Sequence, residues 1–129
     1  MIVDASVICA IILDEPERFK FSEILVNRTG ALASPVQIWE AGVTLTRRLE
    51  RDAMDEVEQL CSELGVQTAT LGKAETQAAF DAWRRYGKGR HPAQLNLGDC
   101  FAYGLAKSRD LPLLFKGADF AKTDVRSAA

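Results

Sequence analysis

The sequence predicts an α/β fold, with helices packed around a short parallel β-sheet. Four short apolar segments alternate along the chain with longer segments of helical periodicity, which is the pattern of a parallel sheet with crossover helices. The length of 129 residues and the hydrophobic content of 47% suit one compact domain with its own core. No repeat, linker or low-complexity segment interrupts the chain, so we expect a single domain spanning 1–129.

Turn and capping residues set the expected element boundaries. The predicted elements are, in order, a strand at 1–3, a helix at 5–13, a helix from 16 that ends before 30, a strand at 30–33, a helix at 35–49, a helix at 54–64, a strand at 66–71, a helix at 73–86, a helix from 97 and a strand at 111–115. Ser34-Pro35 and Asn96 are strong helix starts, and Gly65 and Gly87 are helix stops. The last residues, 127–129, are expected to fray.

Composition and charge exclude several classes of protein. The formal net charge of -2 rules out a globally basic nucleic-acid binder, although it leaves room for a local basic patch. The chain has no apolar run long enough for a membrane span, and Asp4 interrupts its apolar beginning, so neither a membrane segment nor a signal peptide is expected. Cys9, Cys61 and Cys100 are far apart and odd in number, which favours reduced core thiols and a cytoplasmic location.

Four carboxylates occupy unusual positions. Asp4 follows the first predicted strand and Asp119 follows the last one, at the strand ends where parallel sheets bind ligands. Asp99 lies in the first turn of an apolar helix, where the helix dipole keeps it ionised. Glu40 has no Lys or Arg one helical turn away, so no intrahelical ion pair neutralises it. Singly, each of these acids has a structural explanation as a cap or a solvated group.

Taken together, the four acids predict a site for a hard divalent cation. Like charges in a partly buried cleft repel unless a cation compensates them, and oxygen ligands favour Mg²⁺ or Mn²⁺ over zinc. Such ions promote hydrolysis of phosphodiesters, which suggests cleavage of nucleic acid. Ser6 and Asn96 are placed to orient Asp4 and Asp99 by hydrogen bonds.

Two further groups of residues have open interpretations. A basic segment precedes the Asp99 helix and is either a solvated helix end and loop or a set of phosphate contacts for RNA; its members are Arg84, Arg85, Lys88 and Arg90. The aromatic residues at helical spacing are expected to pack in the core rather than to stack on bases; they are Trp39, Trp83 and Tyr86.

Four motifs in order resemble the PIN-domain ribonucleases, in particular the VapC-type toxins of bacterial toxin–antitoxin pairs. They span nearly the whole chain and comprise Ile2-Val3-Asp4-Ala5-Ser6, Glu40 in the third helix, Leu95-Asn96-Leu97-Gly98-Asp99-Cys100, and Leu114-Phe115-Lys116-Gly117-Ala118-Asp119-Phe120 followed by Thr123-Asp124. Each motif is weak alone, and their order makes the resemblance specific.

The resemblance implies a three-layer α/β/α fold and a Mg²⁺- or Mn²⁺-dependent endoribonuclease. It implies that the cation ligands are Asp4, Glu40, Asp99 and Asp119, with Asp124 as the alternative fourth acid, a hydrogen-bonding neighbour of the site or a helix cap. It also implies a homodimer, an RNA substrate and a cognate antitoxin whose C-terminal segment obstructs the acidic groove.

Two other functions are weighed against this one. A catalytically silent PIN-like module would only sequester RNA or an antitoxin, and the presence of all four acids argues against it. A phosphoacceptor receiver domain also gathers carboxylates and a lysine at strand ends, and Lys116 follows the last strand. The chain lacks adjacent acids after its first strand, which makes the receiver domain the weaker hypothesis.

Overall fold

The centre of the fold is a four-stranded parallel sheet. The computed structural model describes all 129 residues and places the strands β1, β2, β3 and β4 at Ile2–Val3, Leu32–Ala33, Gln67–Thr68 and Leu113–Leu114. They pair in the order β3-β2-β1-β4, and every pair is parallel. Ile2 is in register with Leu32 on one side and with Leu113 on the other. The carboxyl ends of all strands therefore face the same edge, with β1 near its middle.

Six α-helices and one 3₁₀ helix complete the fold. The helices α1 to α6 are Ala5–Ile12, Arg18–Val26, Pro35–Leu49, Met54–Glu63, Lys73–Tyr86 and Leu97–Arg109, and the 3₁₀ helix is Phe120–Lys122. Ser34 caps α3 by accepting the Gln37 N–H at 3.2 Å, and Asn96 caps α6 by accepting the Asp99 N–H at 2.9 Å. None of these helices is both long enough and apolar enough to cross a lipid bilayer.

The sheet separates two hydrophobic cores, which confirms the three-layer arrangement. Val3 and Leu114 point to a core shared with α1 to α4, whereas Ile2 and Leu113 point to a core shared with α5 and α6. Adjacent residues of one strand thus face opposite layers, as strand geometry requires. The residues of β1 and β4 are fully buried because helices cover each face of the sheet.

Most predicted helix boundaries agree with the structure, whereas the start of the second helix and the lengths of the strands differ. The second helix begins at Arg18 instead of Pro16, because Asp14 takes a left-handed conformation with φ 60° and the chain turns before the helix starts. The strands are only two residues long, shorter than the apolar segments that predicted them. The three cysteines are buried and unpaired, as expected for core thiols.

The expectation of a frayed C-terminus is wrong. Ala128 is buried, and its N–H donates to the Leu113 carbonyl at 2.9 Å. The Leu113 N–H in turn donates to the Arg126 carbonyl at 2.8 Å. The tail therefore pairs with the outer side of β4 and satisfies backbone groups that an edge strand would leave open.

The aromatic residues expected in the core lie elsewhere. Trp39 is 63% exposed and Trp83 is 40% exposed, so this prediction is wrong for both. Trp39 lies between Gln37 and Ala41 in sequence and points away from the buried side of α3 that these two residues share. Tyr86 is half-buried and packs edge-on against Tyr103 with ring centres 5.4 Å apart.

Candidate active site

A cavity of about 470 Å³ opens at the carboxyl edge of the sheet, and all four predicted acids line it. Asp4 directly follows β1, and Glu40 lies on α3, the helix that follows β2. Asp99 lies in the first turn of α6, and Asp119 precedes the 3₁₀ helix after β4. Four separate segments therefore deliver the carboxylates to one place, as the sequence predicted.

Asp4 is fixed by the start of α1. Its Oδ2 accepts the Ser6 hydroxyl at 2.6 Å and the Ser6 N–H at 3.1 Å, while its Oδ1 is buried and has no partner. Ser6 Oγ also accepts the Lys116 N–H at 3.0 Å, which ties the segment after β4 to the same carboxylate. Burial raises the pKa of Asp4, and the hydrogen bonds from Ser6 oppose that rise. Ser6 orients Asp4, as expected.

Asp99 and Asn96 form a reciprocal cap at the start of α6. The Asn96 side chain accepts the Asp99 N–H, and Asp99 Oδ2 accepts the Asn96 N–H at 3.1 Å. Burial and then the negative charges of Asp4 and Asp119 raise the pKa of Asp99 to about 6, although the bond from Asn96 opposes this rise. The cap fixes the carboxylate without neutralising its charge.

The pKa of Glu40 is strongly raised. Its Oε2 is buried without a hydrogen-bond partner. Burial, followed by repulsion from Asp4 and Asp99, raises the pKa of Glu40 to about 7. The carboxylate lies against Gly98, where a Cβ atom would stand 2.2 Å from Oε2. A side chain at this position would displace the Glu40 carboxylate from its place beside α6.

A buried amide joins these two helices and was not predicted from the sequence. Gln37 is fully buried, and its Nε2 donates to the Gly98 carbonyl at 2.6 Å. Its Oε1 accepts the Ser34 hydroxyl, so the cap of α3 holds the amide in place. The sequence did carry a signal for this role, since Gln37 is a polar residue on the same face of α3 as the apolar Ala41 and Leu45.

The structure separates the two candidates for the fourth acid. Asp119 is exposed and lines the acidic cavity. Asp124 does not line it; its carboxylate accepts the Tyr103 hydroxyl and pairs with Lys107 at 3.2 Å. The Tyr103 hydroxyl above all, together with Lys107, lowers the pKa of Asp124 to about 2. Asp124 thus fastens the C-terminal segment to α6, away from the other acids.

Comparison with known proteins identifies the family to which this chain belongs. The profile of the PIN domain matches residues 1–126. The chain belongs to the PIN-domain family. Its curated relatives include VapC ribonuclease Mb0640 of Mycobacterium bovis, 36% identical over 129 residues that cover all of this chain and 98% of the relative. VapC ribonuclease R02377 of Rhizobium meliloti is 38% identical over 138 residues, which cover 95% of this chain and 97% of the relative.

A solved structure of another protein has the same fold. The crystal structure of Mycobacterium tuberculosis VapC20, described as a sarcin-ricin loop cleaving toxin, matches with a TM-score of 0.74 and 14% sequence identity. The match covers 97% of this chain and 98% of that protein. At this identity the likeness concerns the fold alone. Membership of the PIN family overturns the receiver-domain hypothesis. Lys116, the lysine on which that hypothesis relied, is paired with Glu15 and Glu17.

The predicted basic residues lie outside the acidic cavity of the PIN fold. Arg84 stacks over the Phe80 ring and Arg90 over the Trp83 ring, with 4.4 and 4.8 Å to the ring centres. Arg85 lies 3.5 Å from Asp124. Lys88 lines a separate, largely apolar cavity of about 510 Å³ between α5 and the start of α6. Contact of these four residues with RNA stays a prediction.

The donor chemistry of the acidic cavity fits a hard cation. Asp4 and Glu40 each present a buried oxygen that lacks a hydrogen-bond partner, and a divalent cation bound by oxygen would satisfy both. As the side chains stand, no three acidic, histidine or cysteine groups converge closely enough to enclose an ion. Binding would therefore require the carboxylates to turn toward one another, which their mutual repulsion opposes until a cation is present.

The pKa of Glu40, raised by burial and then by repulsion from Asp4 and Asp99, predicts how stability depends on pH in a chelator. Folded Glu40 holds its proton up to about pH 7, whereas the ordinary pKa of its carboxyl is 4.5. Between these values the folded state binds more protons than the unfolded state, so the free energy of unfolding falls as pH rises. Thermal unfolding at pH 5 and pH 8 should show this fall, and Glu40→Gln should make it smaller. An equal fall in both proteins would contradict the assignment.

Proposed function

We propose that this PIN-domain protein is a divalent-metal-dependent endoribonuclease that acts as a toxin and is neutralised by a cognate antitoxin. The observation that carries the proposal is the gathering of Asp4, Glu40, Asp99 and Asp119 around one cavity in a chain of this family. The names of the curated relatives as VapC ribonucleases support the substrate class.

Each acid has a role in hydrolysis of an RNA backbone. Asp4, Asp99 and Asp119 would hold the cation, Mg²⁺ or Mn²⁺, through carboxylate oxygens. When bound, the cation would neutralise these carboxylates and stabilise the negative charge that develops on the phosphodiester. Glu40 would either add a cation ligand or position the attacking water and accept its proton. The oxygen of that water bonds to phosphorus while its proton passes to Glu40 or to bulk water. One phosphorus–oxygen bond breaks, and the leaving oxygen takes up a proton from bulk water.

Metal removal is the direct test of the proposal. A circular RNA has no ends, so its conversion to linear product reports endonuclease cleavage alone. We expect cleavage with Mg²⁺, loss of cleavage in excess chelator, and recovery when Mg²⁺ or Mn²⁺ is restored. Cleavage that persists undiminished in chelator would reject metal dependence, and an intact circle under every condition would reject the endoribonuclease.

The proposed protein partners would also contact surfaces outside the acidic cavity. A homodimer and an antitoxin are the partners implied by the family resemblance, and the chain exposes several large apolar side chains that such contacts would cover. These are Phe19, Val26, Trp39, Phe80, Trp83 and Leu97. An RNA substrate inside the cell and three unpaired cysteines both suit a cytoplasmic protein.

A further inference from the structure

The acidic cavity contains two cationic side chains, and only one of them is available to a substrate. Lys116 Nζ lies between Glu15 and Glu17, 3.2 Å from the Glu17 carboxylate, so its charge is already paired. Arg48 also lines the cavity, yet its guanidinium takes part in no ion pair and no side-chain hydrogen bond. Its charge and its donors are therefore free.

Arg48 lies on the same helix as Glu40, and its exposed side chain lines the cavity. Glu40, Thr44 and Arg48 are spaced four residues apart on α3, and all three line the cavity, so they form one stripe along its wall. Eight residues of helix place the Arg48 backbone about 12 Å from that of Glu40 along the axis. The charge of Arg48 also acts on Cys9, which lines the same cavity. Burial and then Glu40 raise the pKa of Cys9 to about 11, and the charge of Arg48 opposes that rise.

An RNA strand brings a negative charge with every nucleotide, whereas most of the charged residues that line the cavity are acidic. The cation at the carboxylates can compensate the phosphate that is cleaved, but the next phosphate along the strand needs a positive partner of its own. A guanidinium suits that task because its planar set of donors matches two phosphate oxygens. Thr44, between Glu40 and Arg48, adds a hydroxyl on the same path.

We propose that Arg48, assisted by Thr44, forms a subsite for the RNA phosphate that neighbours the cleaved one. This inference rests on the proposed function, since it names a second contact for the same substrate. It assigns RNA contact to α3, a helix outside the basic segment that the sequence singled out. Arg48 is a positioning residue: it holds the strand while the four acids act on the scissile bond.

Binding measured without cleavage tests the subsite. In an Asp99→Asn background with Mg²⁺, we would measure the affinity for a fluorescently labelled single-stranded RNA of mixed sequence by anisotropy over a series of KCl concentrations. We expect Arg48→Gln to weaken binding about tenfold and to make the slope of log K against log salt shallower by about 0.7, the value for one lost phosphate contact. Arg48→Lys should retain the slope.

Arg47→Gln is the matched control, because Arg47 is exposed like Arg48 and lies in the same last turn of α3 but does not line the cavity. It removes the same charge from the same helix end and should leave affinity and slope unchanged. Equal effects of the two variants, or no effect of either, would overturn the subsite, and so would an RNA that does not bind.

The cleavage assay separates the two proposals. If circular RNA were cleaved in a metal-dependent way, but Arg47→Gln and Arg48→Gln bound RNA equally well, the subsite would be rejected and the nuclease kept. Conversely, the wild-type protein could leave RNA intact while Arg48→Gln, but not Arg47→Gln, weakens RNA binding. That result would reject the nuclease and keep the binding site.

Discussion

Replacing Asp99 by Asn is expected to lower the rate of RNA cleavage by about 10²–10³-fold with the fold intact, the size of effect seen when one electrostatic contact to a transition state is lost. The substitution removes a charge from the cavity, yet the amide oxygen can still accept the Asn96 N–H that caps α6. The pKa of Asp99 is raised to about 6, so its ionised form destabilises the metal-free fold at neutral pH.

Two measurements give this prediction a sharp outcome. Asp99→Asn should melt no lower than the wild type in chelator at pH 8, and the addition of Mg²⁺ should stabilise it less than the wild type. Asp81→Asn, the same change at an exposed position of α5, should alter neither cleavage nor the stabilisation by Mg²⁺. An Asp99→Asn protein that cleaves at the wild-type rate would show that Asp99 has no part in the chemistry.

Replacing Gly98 by Ala is expected to reduce cleavage by about 10- to 100-fold through displacement of Glu40. The new methyl group would lie 2.2 Å from Glu40 Oε2 and 2.9 Å from its Cδ, so the carboxylate must move. The atoms that give way belong to the flexible end of a side chain, and alanine favours a helix more than glycine does. We therefore expect an unfolding temperature close to that of the wild type.

A second glycine provides the control for Gly98. At Gly72, which precedes α5, an added Cβ would meet its nearest neighbour, the Glu75 carboxylate, at an ordinary 3.5 Å. Gly72→Ala should therefore retain cleavage. If Gly98→Ala also retained it, Glu40 would not need its observed position. If Gly98→Ala unfolded the protein, the close contact would serve packing rather than the site.

Local chemistry made much of the fold readable from the sequence. The caps Ser34 and Asn96 fixed the starts of α3 and α6, because a short polar side chain before an apolar periodic run has few other uses. The pairing of the tail with β4 was not readable, since 126–128 carry no strand pattern. Their backbone bonds to Leu113 depend on where the chain ends in space rather than on local sequence.

The acids of the site were readable because their positions had no local compensation. Asp4 follows the apolar strand β1, Glu40 lies within α3, and neither has a Lys or Arg close by in sequence. The structure leaves one buried oxygen of each without a partner. Gln37 and Gly98 were not readable as site residues. Their roles arise from the contact between α3 and α6, which brings together residues 61 positions apart in the chain.

Arg48 shows how proximity in sequence can differ from proximity in the fold. The segment from Arg84 to Arg90 concentrates positive charge just before Asp99, which left open whether it is a solvated helix end and loop or a set of RNA contacts. In the fold, Arg84 and Arg90 lie on aromatic rings of α5, whereas a single arginine at the end of α3 faces the acids. Proximity in sequence did not correspond to proximity to the cavity.

The order of strands in the sheet also governs when the site can exist during synthesis. β1 carries Asp4, but its partner β4, which leads to Asp119, is made much later in the chain. A nascent chain must therefore extend as far as Asp119 before the four carboxylates can meet, because no shorter fragment contains all of them. The acidic site is thus absent from every nascent chain that stops before Asp119.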